Sequence, residues 1–173
     1  MNPGFRFALL VAALAAGSAS AQQRVGMTLI DQKGVGASIG TIEIAAAPKG
    51  GGVIFTPMLK GLPPGEHAFH VHAVGKCEPP FTSAGPHFNP EQKKHGKLNK
   101  EGHHAGDMDN IRVPDSGNLT LQVVDKDITL EKGKPNSIFQ DSGTALVVHA
   151  GKDDYMTDPA GNAGDRIACG VIR

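Results

Sequence analysis

Short apolar runs, interrupted every few residues by glycine or proline, set the pattern of this chain. Rich in Val, Ile, Leu and Thr, they occupy residues 39–45, 52–59, 67–74, 118–124 and 145–150. Several alternate: Leu119, Leu121 and Val123 stand against Thr120, Gln122 and Val124, the period of two that turns successive side chains to opposite faces of a sheet. Pro63-Pro64-Gly65-Glu66 and Asp115-Ser116-Gly117-Asn118 put turn chemistry immediately before two of the runs. With 23 glycines and 12 prolines, long helices have little room. Many short strands without helical intervals predict an all-β sandwich or barrel.

Two stretches depart from that pattern. Residues 1–21 carry one charge, Arg6, ahead of the apolar run FALLVAALAA, and end on the small-residue pattern Ala19-Ser20-Ala21. This predicts a cleaved secretory leader and a mature domain over 22–173. About ten apolar residues fall short of the roughly 20 that a membrane span needs. The 17 basic and 17 acidic side chains balance, and loss of Arg6 leaves the mature chain slightly acidic, which argues against a nucleic-acid partner. In an exported chain the two cysteines, Cys77 and Cys169, are expected to pair, and closing so long a loop stabilises by roughly 4–5 kcal/mol. The second departure is residues 75–113, polar and charged, with His87, His95, His103 and His104. A segment this long without regular structure is either functional or disordered, and its histidines argue for function.

Metal binding is the chemistry those histidines suggest. In Phe69-His70-Val71-His72 the strand period puts both imidazoles on one face and Phe69 and Val71 on the other. His67 has the opposite parity and is read as a structural histidine, hydrogen-bonded in the interior. Zinc is satisfied by four ligands drawn from nitrogen, sulfur and carboxylate oxygen. His87, His95, Asp107 and either His103 or His104 offer such a set, and spacing does not choose between the two adjacent histidines. A bound ion would supply the folding free energy that a polar loop cannot obtain by burying apolar surface. His149, at the end of an apolar strand, can add a third nitrogen to His70 and His72, and nitrogen-rich tetragonal sites suit Cu(II).

Further motifs extend the picture: Ser83-Ala84-Gly85-Pro86-His87-Phe88-Asn89-Pro90, Lys94-His95-Gly96, His104-Ala105-Gly106-Asp107, Val147-Val148-His149 and Arg166-Ile167-Ala168-Cys169-Gly170-Val171-Ile172. In this order, and over essentially the whole mature chain, they resemble the Cu/Zn superoxide dismutases in their exported bacterial form. The resemblance implies a flattened eight-stranded Greek-key β-barrel, a sandwich architecture, with long metal-binding loops. It implies disproportionation of superoxide to dioxygen and hydrogen peroxide, with one copper and one zinc ion per subunit. It carries copper to His70, His72, His87 and His149, and zinc to His87, His95, His104 and Asp107, so that His87 bridges the metals through both ring nitrogens. His104 is thereby preferred over His103, and His67 again falls outside the ligands. Cys77 and Cys169 match the family's intrachain disulfide. Asp153 matches the carboxylate that joins a copper histidine to a zinc histidine, and Arg166 the guanidinium that guides the substrate anion.

His87 and Arg166 are the implied catalytic pair. Exported relatives include monomers and dimers, so the resemblance admits a homodimer, and the expected destination is the periplasm, with the extracellular space as the alternative. Lys93, Lys94, Lys97 and Lys100 crowd the zinc-binding loop while residues 153–165 contain no lysine, which makes these four candidates for the attracting field. A copper-carrying module without turnover would not need Arg166 and both ligand sets. A zinc hydrolase would need an open coordination position that four protein ligands close.

Overall fold

The structure, a computed structural model, describes residues 23–31, 33–79 and 81–173; the expected leader lies outside them. The strands are β1 (Gln23–Asp31), β2 (Gly34–Ala46), β3 (Val53–Leu59), β4 (Gly65–His67), β5 (Phe69–His72), β6 (Ile111–Val113), β7 (Leu119–Thr120), β8 (Val123–Asp125), β9 (Thr144–His149) and β10 (Arg166–Ile172). Helical geometry among the described residues is confined to two short 3-10 turns, Pro48–Gly50 and Thr82–Ala84.

Eight strands form one antiparallel sheet in the order β5-β9-β10-β1-β2-β3-β7, with β8 also on β3, while β4 and β6 pair separately. β9 returns after three intervening strands to lie beside β5, and β10 lies beside β1, the non-consecutive neighbours of a Greek key. The β4–β6 pair is continuous in sequence with both ends of this sheet, with β5 through Ala68 and with β7 through residues 114–118. The result is a curled, barrel-like sheet around Met27, Ile42, Ile44, Phe55, Phe69, Ile111 and Leu146, all essentially without solvent exposure. Phe55 and Phe69 meet edge to face at 6.1 Å, a favoured aromatic geometry.

Two of the apolar runs are broken in the fold. Residues 67–74 divide at Ala68, whose N–H bonds to Gly151 O and whose carbonyl accepts from His149 N, so β4 turns to β6 while β5 turns to β9. Residues 118–124 divide into β7 and β8, although Leu119 and Val123 are buried and Thr120, Gln122 and Val124 exposed, as the alternation predicts. Three strands, β1, β6 and β10, lie outside the five runs. In β1 the buried positions step from Val25 and Met27 to Ile30, because irregular register between Met27 and Ile30 breaks the period of two.

Candidate metal centre

β5 is the edge of the main sheet, and the polar 75–113 segment runs along its open side. Val71 N–H donates to Gly106 O (3.0 Å), Phe88 N–H to Val71 O (2.8 Å) and Ala73 N–H to Pro86 O (2.9 Å). These bonds set His87 opposite His72 and Asp107 opposite His70. All four residues of β5 are consequently buried, the imidazole face under the segment and the Phe69 face in the core.

Two groups result. His70, His72, His87 and His149 bring one ligand atom each within 4.8 Å of one another, and so do His87, His95, His104 and Asp107; all seven residues are buried. His103, the neighbour of His104, instead pairs with Asp127 at the half-exposed surface (2.9 Å). His67 stands outside both groups, buried, with its ring nitrogens 2.8 Å from His149 O and 2.9 Å from Pro63 O. Its structural role holds for a reason other than strand parity, since the strand is not continuous across Ala68.

The hydrogen bonds fix which ring nitrogens carry protons. His72 Nδ1 lies 2.9 Å from Gly85 O and His149 Nδ1 3.1 Å from Gly164 O. A carbonyl only accepts, so both Nδ1 atoms donate and both Nε2 atoms present lone pairs. These two lone pairs face each other at 3.4 Å, with no proton between them. His70 Nε2 donates to Asp153 Oδ2 (2.9 Å), leaving His70 Nδ1 bare, and His87 Nε2 is equally without a partner. Burial lowers the basicity of His87 to about 4 and of His149 to about 3, and drives that of His72 well down, with the neighbouring imidazoles adding to the effect. Lone-pair nitrogens of His70, His72, His87 and His149 gather within 4.8 Å of one another, an arrangement a metal cation satisfies.

The second group is organised by Asp107. Its Oδ1 lies 2.8 Å from His87 Nδ1, 3.1 Å from His95 Nδ1 and 3.3 Å from His104 Nδ1. Its Oδ2 accepts from Gly96 N (2.9 Å) and His104 N (3.1 Å). Burial opposes the charge, but the bonds to His104, His87, His95 and Gly96 outweigh it and hold the carboxyl far below the usual carboxylate range. For His95 burial also works against the cation, and the bonds to Asp107 and Asp153 prevail, raising it to about 9.

Asp153 joins the groups. Its Oδ1 lies 3.0 Å from His95 Nε2 while Oδ2 takes the bond from His70. Gly161, at φ +64°, leaves no room for a side chain here: a Cβ would meet both Asp153 Oδ1 and His95 Nε2. The carbonyls of Gly85 and Gly164, which orient two imidazoles, and the amide of Asn110, which bonds both N–H and C=O of Asp153 (2.8 and 2.9 Å), were not among the sequence candidates. Backbone carbonyls leave no signal in side-chain motifs, and Asn110 lies 43 residues from Asp153.

Half-buried Arg166 completes the site. Its guanidinium donates to Phe81 O and to Gly85 O (2.7 Å), so Gly85 O receives both Arg166 and the copper-candidate His72. A 580 Å³ cavity opens beside it, lined among others by Gly164, Asp165, Phe81 and Lys33. Cys77 and Cys169 are joined as a disulfide, Cα atoms 5.8 Å apart, which ties the segment bearing Phe81 and Gly85 to β10. Of the four loop lysines, Lys93 is paired with Glu91 (2.7 Å) and Lys97 with Asp109 (2.8 Å).

The family model described as copper/zinc superoxide dismutase matches residues 38–172. Superoxide dismutase [Cu-Zn] 1 of Aquifex aeolicus is 50% identical over 166 residues, covering 95% of this chain and 96% of the relative. Among solved structures, the Cu/Zn superoxide dismutase of Brucella abortus superposes with a TM-score of 0.73 at 31% identity, covering 88% of this chain and 100% of the other. A SOD-like protein from Bacillus subtilis gives a TM-score of 0.80 at 36% identity, with the same coverage. The chain belongs to the copper/zinc superoxide dismutase family.

Proposed function

We propose that His70, His72, His87 and His149 hold copper, that His87, His95, His104 and Asp107 hold zinc, and that the enzyme disproportionates superoxide. The observation that carries this reading is the shared His87, whose Nδ1 points into one group and whose bare Nε2 points into the other. An all-imidazole set suits copper, and three imidazoles with a carboxylate suit zinc. Bound there, copper supplies one-electron redox chemistry, through which one superoxide loses an electron to become dioxygen and a second gains an electron and two protons to become hydrogen peroxide.

The chain's own residues supply the rest. Arg166, clamped by two carbonyls, keeps its donor fork aimed and its charge in place to hold a small anion. His87 Nε2 is the atom that holds and delivers one of the two protons, its ring anchored from the Nδ1 side, where His95, His104 and Asp107 gather. Asp153 and the carbonyls of Gly85 and Gly164 keep His70, His72 and His149 in single tautomers, so their lone pairs need no reorganisation.

The disulfide fits an oxidising compartment, and the chain reads as an exported protein. We place it in the periplasm, with residues 1–21 removed as a leader, and as a homodimer or monomer that sedimentation of the metal-loaded protein distinguishes. Among the described residues no helix is long and apolar enough to cross a membrane. The test of function is metal content measured together with superoxide consumption. Fully copper- and zinc-loaded protein should turn over superoxide, and a loaded sample without turnover would leave only a metal-binding module.

A further inference from the structure

The loop after β9 is fastened to the zinc-binding loop by Tyr155, a residue outside every ligand motif. Its N–H donates to Asp153 Oδ1 (2.6 Å), the oxygen that also faces His95. Its carbonyl accepts from Leu98 N (3.0 Å), three residues beyond His95. Its phenol oxygen accepts from Asn110 N (2.7 Å), three residues beyond Asp107. Asn110 closes the circuit through its amide, which bonds both main-chain polar groups of Asp153. One tyrosine thus touches both arms of the zinc loop and the carboxylate between the two metal groups.

Local preference does not put it there. Tyr155 sits at φ +62°, a left-handed conformation that costs of order 1–3 kcal/mol for a residue other than glycine and persists only where surroundings impose it. The opposing chain is shaped to admit it: Gly96 has φ +97°, and a Cβ there would collide with the Tyr155 carbonyl group. Neighbouring Asp154 holds the following turn by accepting from Met156 N (2.9 Å) and Thr157 N (2.8 Å). Strain at one residue and a cleared approach at the other point to a contact that does something the fold alone does not require.

We propose that Tyr155 is a positioning residue for the two-metal site, locking Asp153 to both arms of the zinc loop so that His70 and His95 are held as one unit. This rests on the metal assignment above. Tyr155→Phe removes the phenol oxygen and leaves the ring and the two backbone bonds. Zinc affinity, measured by competition with a chromophoric chelator, should fall on the order of 10-fold, as for other partners beyond the ligands themselves. The Cu(II) electron paramagnetic resonance spectrum of the copper- and zinc-loaded protein should change with it, because His70 shares Asp153; Asn110→Ala should give the same spectral change. The thermal midpoint of the metal-free variant should match that of the unsubstituted protein. With one tyrosine and no tryptophan in the chain, tyrosine emission reports this residue alone, and zinc titration should alter it with a 1:1 end point. Unchanged zinc affinity and superimposable spectra in both variants overturn the proposal, as does a loss of metal-free stability equal to the loss on metal binding. Unsubstituted protein that takes up no zinc at 1:1 defeats the metal assignment instead, and this inference with it.

Discussion

Asp125 is a buried acid that the metal site does not use, and it makes a pH-dependent contribution to stability that can be worked out. The residue is 4% exposed; Oδ1 accepts from Asp127 N (2.9 Å), while Oδ2 is buried without a partner. Burial raises its pKa from 3.8 to about 7, Asp127 and Asp107 adding repulsion against the opposing bond from Asp127 N and the charge of Lys97. The folded state therefore keeps a proton that the unfolded chain releases, so stability is full below pH ~4 and declines as pH rises through about 7. Between pH 5.5 and 8.5 this amounts to about 2 kcal/mol, from 1.36 kcal/mol per pKa unit integrated over the titration. Asp125→Asn keeps the acceptor for Asp127 N and removes the charge. Denaturant unfolding of variant and parent across that range should show the variant gaining about 2 kcal/mol on the parent as pH rises, offset by a constant for the amide's added donor, of order 1–3 kcal/mol. Parallel curves for the two proteins would refute the reasoning, because they would mean that Asp125 is ionised in both states.

Substitution of the half-buried guanidinium, Arg166→Ala, should lower kcat/KM for superoxide by about 10-fold or more at low ionic strength with the Cu(II) spectrum intact; Arg166→Lys should recover only part, since a point charge cannot span the Phe81 and Gly85 carbonyls. Reducing the disulfide should destabilise the protein by roughly 4 kcal/mol and, by freeing the segment that bears those carbonyls, lower activity even where metal content is kept; full activity in the reduced, loaded protein would dissociate the tether from Arg166. Neutralising Lys93, Lys94, Lys97 and Lys100 together should slow turnover and flatten its dependence on salt. Lys94 and Lys100 should carry most of that change, since Lys93 and Lys97 are already paired with Glu91 and Asp109, and an unaltered salt profile would remove the lysines from the argument.

The all-β class could be read from the alternation of Leu119, Leu121 and Val123, and the ligand candidates from the spacing of histidines, because both are local. The limits of that reading are equally physical. Nothing in His67-Ala68-Phe69 signals a break, since alanine is no turn residue; the division comes from Gly151 and His149, more than 80 positions away, which capture the Ala68 backbone. His103 and His104 could not be separated by spacing and are separated in the fold by what each finds, Asp127 for one and Asp107 for the other. Asn110 and Tyr155 act through main-chain partners that only the folded loops bring near.

The position of the site on an edge strand has its own logic. β5 presents one open side, and an open edge of peptide groups invites association with other chains unless it is covered. Here residues 86–106 cover it with main-chain bonds to Val71 and Ala73, and the same register delivers His87 and Asp107 opposite His72 and His70. The covering segment has few apolar side chains to bury, so its order cannot come from the hydrophobic effect. Closing it also crowds lone pairs that repel one another, since it sets the ring of His87, whose Nε2 has no partner, 4.0 Å from that of His70, whose Nδ1 has none. A cation placed among them reverses the sign of that interaction. Ordering of the loop and loading of the metals are then two descriptions of one equilibrium, and the barrel's open edge is closed by the same residues that make it a catalyst.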